Sequence, residues 1–187
     1  DNVEQKIVHF SHEEGPVSVA IIFDSSGSMK DKLDASVSAV TWLFKTAVVG
    51  DEFALVKFSD DPHLVARFGD RAEEIFTQLS NIQPKGWTSL RDAIHLGIEQ
   101  LRSAKNASRV LLILSDGADN SSRYSESETR SLVQESDVRV YAIGLFQRPR
   151  FLEKLAQDTG GEPVVVEGLE ELPRAVARIS RKVRQRY

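Results

Sequence analysis

Asp24, Ser26 and Ser28 stand at alternate positions in the stretch Phe23-Asp24-Ser25-Ser26-Gly27-Ser28-Met29. An apolar run over 17–23 ends there in an acid, two spaced hydroxyls and a glycine, and a helical pattern follows at once. One carboxylate and two alcohols therefore fall where a buried strand turns into a helix. In an α/β protein, ligands bind at that edge of the sheet. Donors that are all oxygen suit a hard cation such as Mg²⁺, and neither Cys nor His is present in the stretch.

Those side chains need a scaffold. Residues 17–23 are β-branched and near-continuously apolar, which fits a central parallel strand buried on both faces. Met29, Leu33, Val37, Val40 and Phe44, with Ala47 or Val48, recur at helical spacing. They predict a first helix from near Ser28 to a stop at Gly50. A second strand covers 52–58. Only Ser59-Asp60-Asp61-Pro62 separates it from a third at 63–68. That link is too short for a parallel crossover, so the third strand is predicted as an antiparallel edge.

A short helix over 70–80 and a loop at Pro84-Lys85-Gly86-Trp87 come next. Ser89 with Asp92 matches a capping box for a helix carrying Leu90, Ala93, Ile94, Gly97, Ile98 and Leu101. The strongest strand signal, 109–114, again ends in an acid, at Ser115-Asp116-Gly117. A weakly apolar, exposed helix follows over 125–136, then a strand at 138–143. A helix over 150–158 ends at Gly160-Gly161, and a short strand at 163–166 precedes a closing amphipathic helix through Leu169, Leu172, Val176, Ile179 and Val183.

Strands alternating with helices predict an α/β fold: a three-layer, doubly wound, Rossmann-like six-stranded sheet with helices on both faces. In the order 3-2-1-4-5-6, with strand 3 antiparallel, the first and fourth strands are neighbours. Asp24 and Asp116 then lie side by side although 92 positions separate them. One domain is expected over 17–187, with 1–16 a tail or the end of a preceding element. The chain opens on Asp1 rather than Met and is read as a monomeric domain of a longer protein.

A chain of 187 residues buries ~70% of the surface it exposes when unfolded, enough for a core without staples. A net charge of −4 argues against a general nucleic-acid binder. The absence of cysteine excludes disulfides and zinc–thiolate sites but does not fix the compartment. No apolar run approaches the ~20 residues of a membrane span, so direct insertion of this segment is not expected.

Three loops converge in this scheme: one brings Asp24, Ser26 and Ser28, a second brings Thr88, a third brings Asp116. Two carboxylates balance the charge of a divalent ion, while hydroxyls coordinate without adding any. The ion keeps positions for water or an incoming acidic oxygen. Asp24-Ser25-Ser26-Gly27-Ser28, followed by Thr88 and Asp116, resembles the metal-ion-dependent adhesion site of von Willebrand factor type A domains. Gly86-Trp87-Thr88-Ser89-Leu90, Leu112-Ile113-Leu114-Ser115-Asp116-Gly117 and Leu155-Ala156-Gln157-Asp158-Thr159-Gly160-Gly161 resemble family segments in the family's order. The lead-in is similar to a bacterial, mostly exported branch. The resemblance implies Asp24, Ser26, Ser28, Thr88 and Asp116 as metal ligands. The ion it implies is Mg²⁺, with Mn²⁺ or Ca²⁺ as alternatives, and the partner is a protein presenting Asp or Glu. It further implies an extracytoplasmic location and no catalysis. Trp87 departs from a glycine common in relatives.

Each reading has a plainer rival. Asp24, Ser26 and Ser28 also suit a tight turn with a helix cap, Thr88 and Ser89 suit caps alone, and Asp116 suits a turn before Gly117. Asp92 is read as a helix-capping acid, and Asp119 and Asn120 as loop residues. Trp87 is open between a core position and a contact anchor beside the metal. His95 is read as structural, and the basic run 178–186 as a solvated helix end. The rival function is a metal-dependent hydrolase or phosphatase using Asp24 as nucleophile. Against it, position 26 is Ser rather than a second Asp, and no phosphate loop or nucleophile elbow is present. No His or Lys falls in the predicted site loops. A third reading, a scaffold domain without metal function, conflicts with the intact donor set.

Overall fold

A computed structural model describes residues 15–184. Residues 1–14 of the expected tail over 1–16, and the end of the basic run, Gln185 and Arg186, lie outside the described residues. Six strands form one sheet: β1 (Val17–Asp24), β2 (Glu52–Phe58), β3 (Pro62–Ala66), β4 (Ser108–Ser115), β5 (Arg139–Leu145) and β6 (Glu162–Val166). Their order is β3-β2-β1-β4-β5-β6. All pairs are parallel except β2 with β3, where the short turn forces the reversal.

Among the described residues, six helices cover the sheet: α1 (Leu33–Lys45), α2 (Ala72–Ser80), α3 (Leu90–Leu101), α4 (Glu126–Glu135), α5 (Arg150–Asp158) and α6 (Leu172–Arg184). Alternation along β1 sorts them. Val17, Val19, Ile21 and Phe23 pack with α1, α2 and α6, while Ala20 and Ile22 pack with α3, α4 and α5. Every residue of β1 is buried, which is why its sequence reads as an unbroken apolar run. Gly97 lets α3 settle onto β1 and β4: a methyl group there would stand 2.5 Å from Ile22 Cδ1 and 2.8 Å from Leu111 Cδ1. Among the described residues, no helix is long and apolar enough to cross a membrane.

The first helix differs from expectation. A single 3₁₀ turn, Gly27–Met29, precedes an α-helix that begins only at Leu33. The stretch leading into that turn is held from both sides, by Ser25 N–H donating to Phe58 O (2.8 Å), Gly27 N–H to Gly86 O (3.1 Å) and Lys85 N–H to Ser25 O (3.0 Å). Lys32 N–H then closes on Met29 O at 2.9 Å, so the chain turns once more before α1 begins.

The predicted capping box at α3 does not form. Ser89 makes no side-chain cap, and its hydroxyl is buried without a partner. Asp92 instead accepts N–H bonds from Arg123 (2.9 Å) and Tyr124 (3.2 Å) and pairs with Arg123 Nε at 3.0 Å. The long loop after β4 needs acceptors for its own backbone, and that demand outweighs the local motif. A capping box does form at α4, between Ser125 and Glu128.

The basic run also departs from a solvated end. The departure is at Arg184, buried against Asp51 at 2.5 Å; Arg178, Arg181 and Lys182 are exposed as expected, with Arg178 and Lys182 pairing with Glu162.

Candidate functional site

Parallel register puts Phe23 beside Leu114, so the next residues, Asp24 and Ser115, share one level at the carboxyl edge of the sheet. Asp24 is fully buried. Its Oδ1 accepts the Ser26 N–H at 2.9 Å and its Oδ2 accepts the Ser115 hydroxyl at 2.5 Å. Burial pushes the Asp24 carboxyl above its ordinary value; bonds from Ser115 and Ser26 oppose the push, and the nearby Asp116 charge adds to it.

From this buried acid a line of oxygens climbs to the surface. Ser26 Oγ and Ser28 Oγ are 3.1 Å apart, and Ser28 Oγ donates to Asp116 Oδ1 at 2.8 Å. The line ends on Lys32, whose ammonium pairs with Asp116 Oδ2 and donates to Ser28 O at 3.1 Å. Hydrophobic spacing predicts Lys32 inside the first helix, away from the loops that meet at the sheet edge. The late start of α1 leaves it as the last loop residue, within reach of Asp116.

Thr88 comes to the same edge by backbone anchors. Its N–H donates to Asn120 Oδ1 (2.8 Å), and Asn120 N–H returns a bond to Thr88 O (3.1 Å). Ser89 N–H donates to Ser59 O at 2.8 Å. Asp119 braces the start of α3, accepting the Arg91 N–H at 2.8 Å and pairing with the Arg91 guanidinium. Asp119 and Asn120 are thus loop residues, as read, that hold the second loop against the third. The Thr88 side chain is buried and makes no hydrogen bond to the other four residues, which the structure links directly.

Two aromatic side chains flank the cluster. Trp87 is 67% exposed, so it is not a core residue. Gly86 takes a left-handed φ of +78°, and the Asp60 carboxylate sits where a Cβ at 86 would go while accepting the Trp87 N–H at 2.8 Å. Phe146, which no sequence pattern marks, is 48% exposed and has φ +62°. Its ring centroid lies 5.6 Å from Lys32 Nζ. His95 is structural: it stacks on Tyr124 with centroids 3.6 Å apart, its Nε2 is 3.2 Å from Thr129 Oγ1, and burial lowers its pKa against the pull of Asp92 and Glu128.

Among the described residues, no three carboxylate, imidazole or thiol side chains converge on one point. The cluster has two carboxylates, and its remaining donors are hydroxyls. That set fits a hard divalent cation by its chemistry, since all donors are oxygen and the two acids balance the charge. A positive charge already rests on it, in the Lys32 ammonium at Asp116.

A family model for the von Willebrand factor type A domain matches residues 18–177. The chain belongs to that family. Among curated relatives, it is 26% identical over 176 residues to human inter-alpha-trypsin inhibitor heavy chain H4, covering 82% of this chain and 19% of that protein. It is 27% identical over 186 residues to Cuticlin-6 of Caenorhabditis elegans, covering 94% of this chain and 32% of that protein. The chain thus spans between a fifth and a third of those relatives' lengths.

Solved structures share the fold. The vWF domain of the type V pili tip protein Mfa5 from Porphyromonas gingivalis superposes with a TM-score of 0.76 at 12% identity, covering 92% of this chain and 97% of that one. A von Willebrand factor type A protein from Catenulispora acidiphila gives 0.78 at 21% identity, covering 90% and 42%. Proximal thread matrix protein 1 from the mussel byssus gives 0.76 at 19% identity, covering 88% and 47%. The von Willebrand factor type A (VWA) domain described here thus shares its fold with proteins from bacteria and from a mussel.

Proposed function

We propose that this VWA domain is a divalent-cation-dependent protein-binding module, without turnover. Asp24, Ser26, Ser28, Thr88 and Asp116 would hold the ion, Mg²⁺ or, failing that, Mn²⁺ or Ca²⁺. When bound, such an ion supplies an electrophilic centre with coordination positions open to an external carboxylate. The partner is then a protein that presents Asp or Glu.

The observation that carries this reading is the hydrogen-bonded set Asp24, Ser26, Ser28 and Asp116, drawn from two separate loops and buried at its base. Ser115 and Ser26 fix both oxygens of Asp24, so the acid is oriented before any ion arrives. Burial argues against Asp24 as a nucleophile: a nucleophile must reach its substrate, and Asp24 is fully buried, while each of its hydrogen-bonded oxygens keeps a lone pair that a small ion could use.

Relatives named for a pilus tip and for byssal thread matrix support an adhesive role outside the cytoplasm. The test is the melting temperature with and without Mg²⁺ or Mn²⁺. A native-state ligand at a hundred times its Kd stabilises by about 2.7 kcal/mol. The parent should show the rise, and Asp116→Ala should lose it while staying folded. A variant that binds metal as the parent does would overturn the ligand set.

A further inference from the structure

We propose that Trp87 and Phe146 form an apolar margin to the binding face, and that the partner presents its acidic side chain between bulky apolar residues. This rests on the reading of an acidic protein ligand above and adds its specificity.

Six large apolar side chains are exposed among the described residues: Trp42, Val48, Val49, Trp87, Tyr124 and Phe146. Tyr124 stacks on His95. Trp42, Val48 and Val49 belong to the end of α1 and the loop leading to Asp51, at the far pole from the cluster. Only Trp87 and Phe146 adjoin the site residues, Trp87 as the neighbour of Thr88 and Phe146 across Lys32 from Asp116.

Neither position is casual. Trp87 is held outward by Gly86 in a left-handed conformation and by the Asp60 bond to its own N–H. Phe146 adopts a left-handed φ that aromatic residues rarely take, and its N–H is tied to Val166 O at 2.8 Å. Trp87 is mostly exposed and Phe146 half-exposed. Backbone strain that leaves an aromatic face in solvent beside a charged cluster is the kind found at binding sites. Exposed aromatics at a rim are also the side chains most often found as contact anchors.

Charge selects the occupant. Asp24 and Asp116 balance a divalent ion, and Lys32 then leaves the rim with a positive excess that favours a carboxylate. A single compact ammonium does not match the repeated anionic groups of a sulfated glycan. Apolar residues on each side of the carboxylate would cover Trp87 and Phe146.

The experiment displays random peptides with a fixed central Glu and selects them on the full chain in Mg²⁺ and in chelator. The expected result in Mg²⁺ is enrichment of Leu, Ile, Phe or Trp beside the Glu. Synthetic peptides from that pool should bind Trp87→Ala and Phe146→Asn about tenfold more weakly than the parent. Both variants should keep the Mg²⁺-induced rise in melting temperature, which shows that they fold and hold the ion. Enrichment without apolar neighbours, or unchanged affinity in both variants, overturns the proposal and leaves the metal reading standing. Equal selection in chelator with both aromatics still required upholds the margin and overturns the metal reading. Binding of a sulfated oligosaccharide but of no peptide overturns both the apolar margin and the protein partner.

Discussion

The ammonium of Lys32 closes on Asp116, the outermost carboxylate of the cluster, and no other basic side chain among the described residues touches that acid. The domain therefore carries a cation of its own where the donor set calls for one.

That contact sets an expectation for Lys32→Met. The variant should lose melting temperature in chelator, because Asp116 stays buried without a counter-charge. It should also bind Mn²⁺ more tightly. Two unit like charges roughly 4 Å apart at an effective dielectric of ~20 repel by about 4 kcal/mol and a divalent ion doubles that, an upper figure since a lysine can swing to solvent. Calorimetric titration should show a gain of about tenfold, and unchanged affinity would mean that Lys32 does not contend with the ion.

Asp24 makes a prediction about pH. Its carboxyl sits above the ordinary 3.8 because burial disfavours the charge. The folded state then binds this proton more readily than the unfolded chain. The resulting stabilisation is full below 3.8 and is lost as pH rises through the raised folded value. Asp24→Asn, which cannot ionise, should melt higher than the parent in chelator at neutral pH, and the gap should close as pH falls toward 3.8. Added Mg²⁺ should reverse the order by stabilising the parent alone. A gap that stays constant with pH would contradict the buried charge.

Asp51 and Arg184 form a buried pair at 2.5 Å, with the Asp51 side chain shielded from solvent. Removing one member of such a pair typically costs about 3–5 kcal/mol, because the other charge is left stranded. Asp51→Ala should show a loss of that size in urea melts. The double variant Asp51→Asn, Arg184→Met should lose distinctly less. Equal losses would mean that the pair itself, rather than the stranded charge, carries the stability.

Strand order and the antiparallel edge were legible because they follow from periodicity and from one short turn at Ser59–Pro62. The adjacency of Asp24 and Asp116 followed from that order. What escaped was set by contacts between segments far apart in sequence. Asp92 serves the loop at Arg123 rather than its own helix, and Arg184 turns inward to Asp51 instead of to water. Lys32 was hidden by a helix boundary, since hydrophobic spacing marks where a helix runs and not which loop bonds delay its start. Ser115, the second clamp on Asp24, looked like an ordinary strand end. Phe146 had no signal, because left-handed backbone is the mark of its position and an aromatic residue does not announce it.

Asp51 also accepts the Val17 N–H at 3.0 Å, so the start of β1 and the end of α6 are fastened to one carboxylate. Asp24 lies at the other end of β1, roughly 23 Å away at 3.3 Å per residue. Force applied at Val17 and at Arg184 would therefore meet at Asp51, at the opposite pole from Asp24.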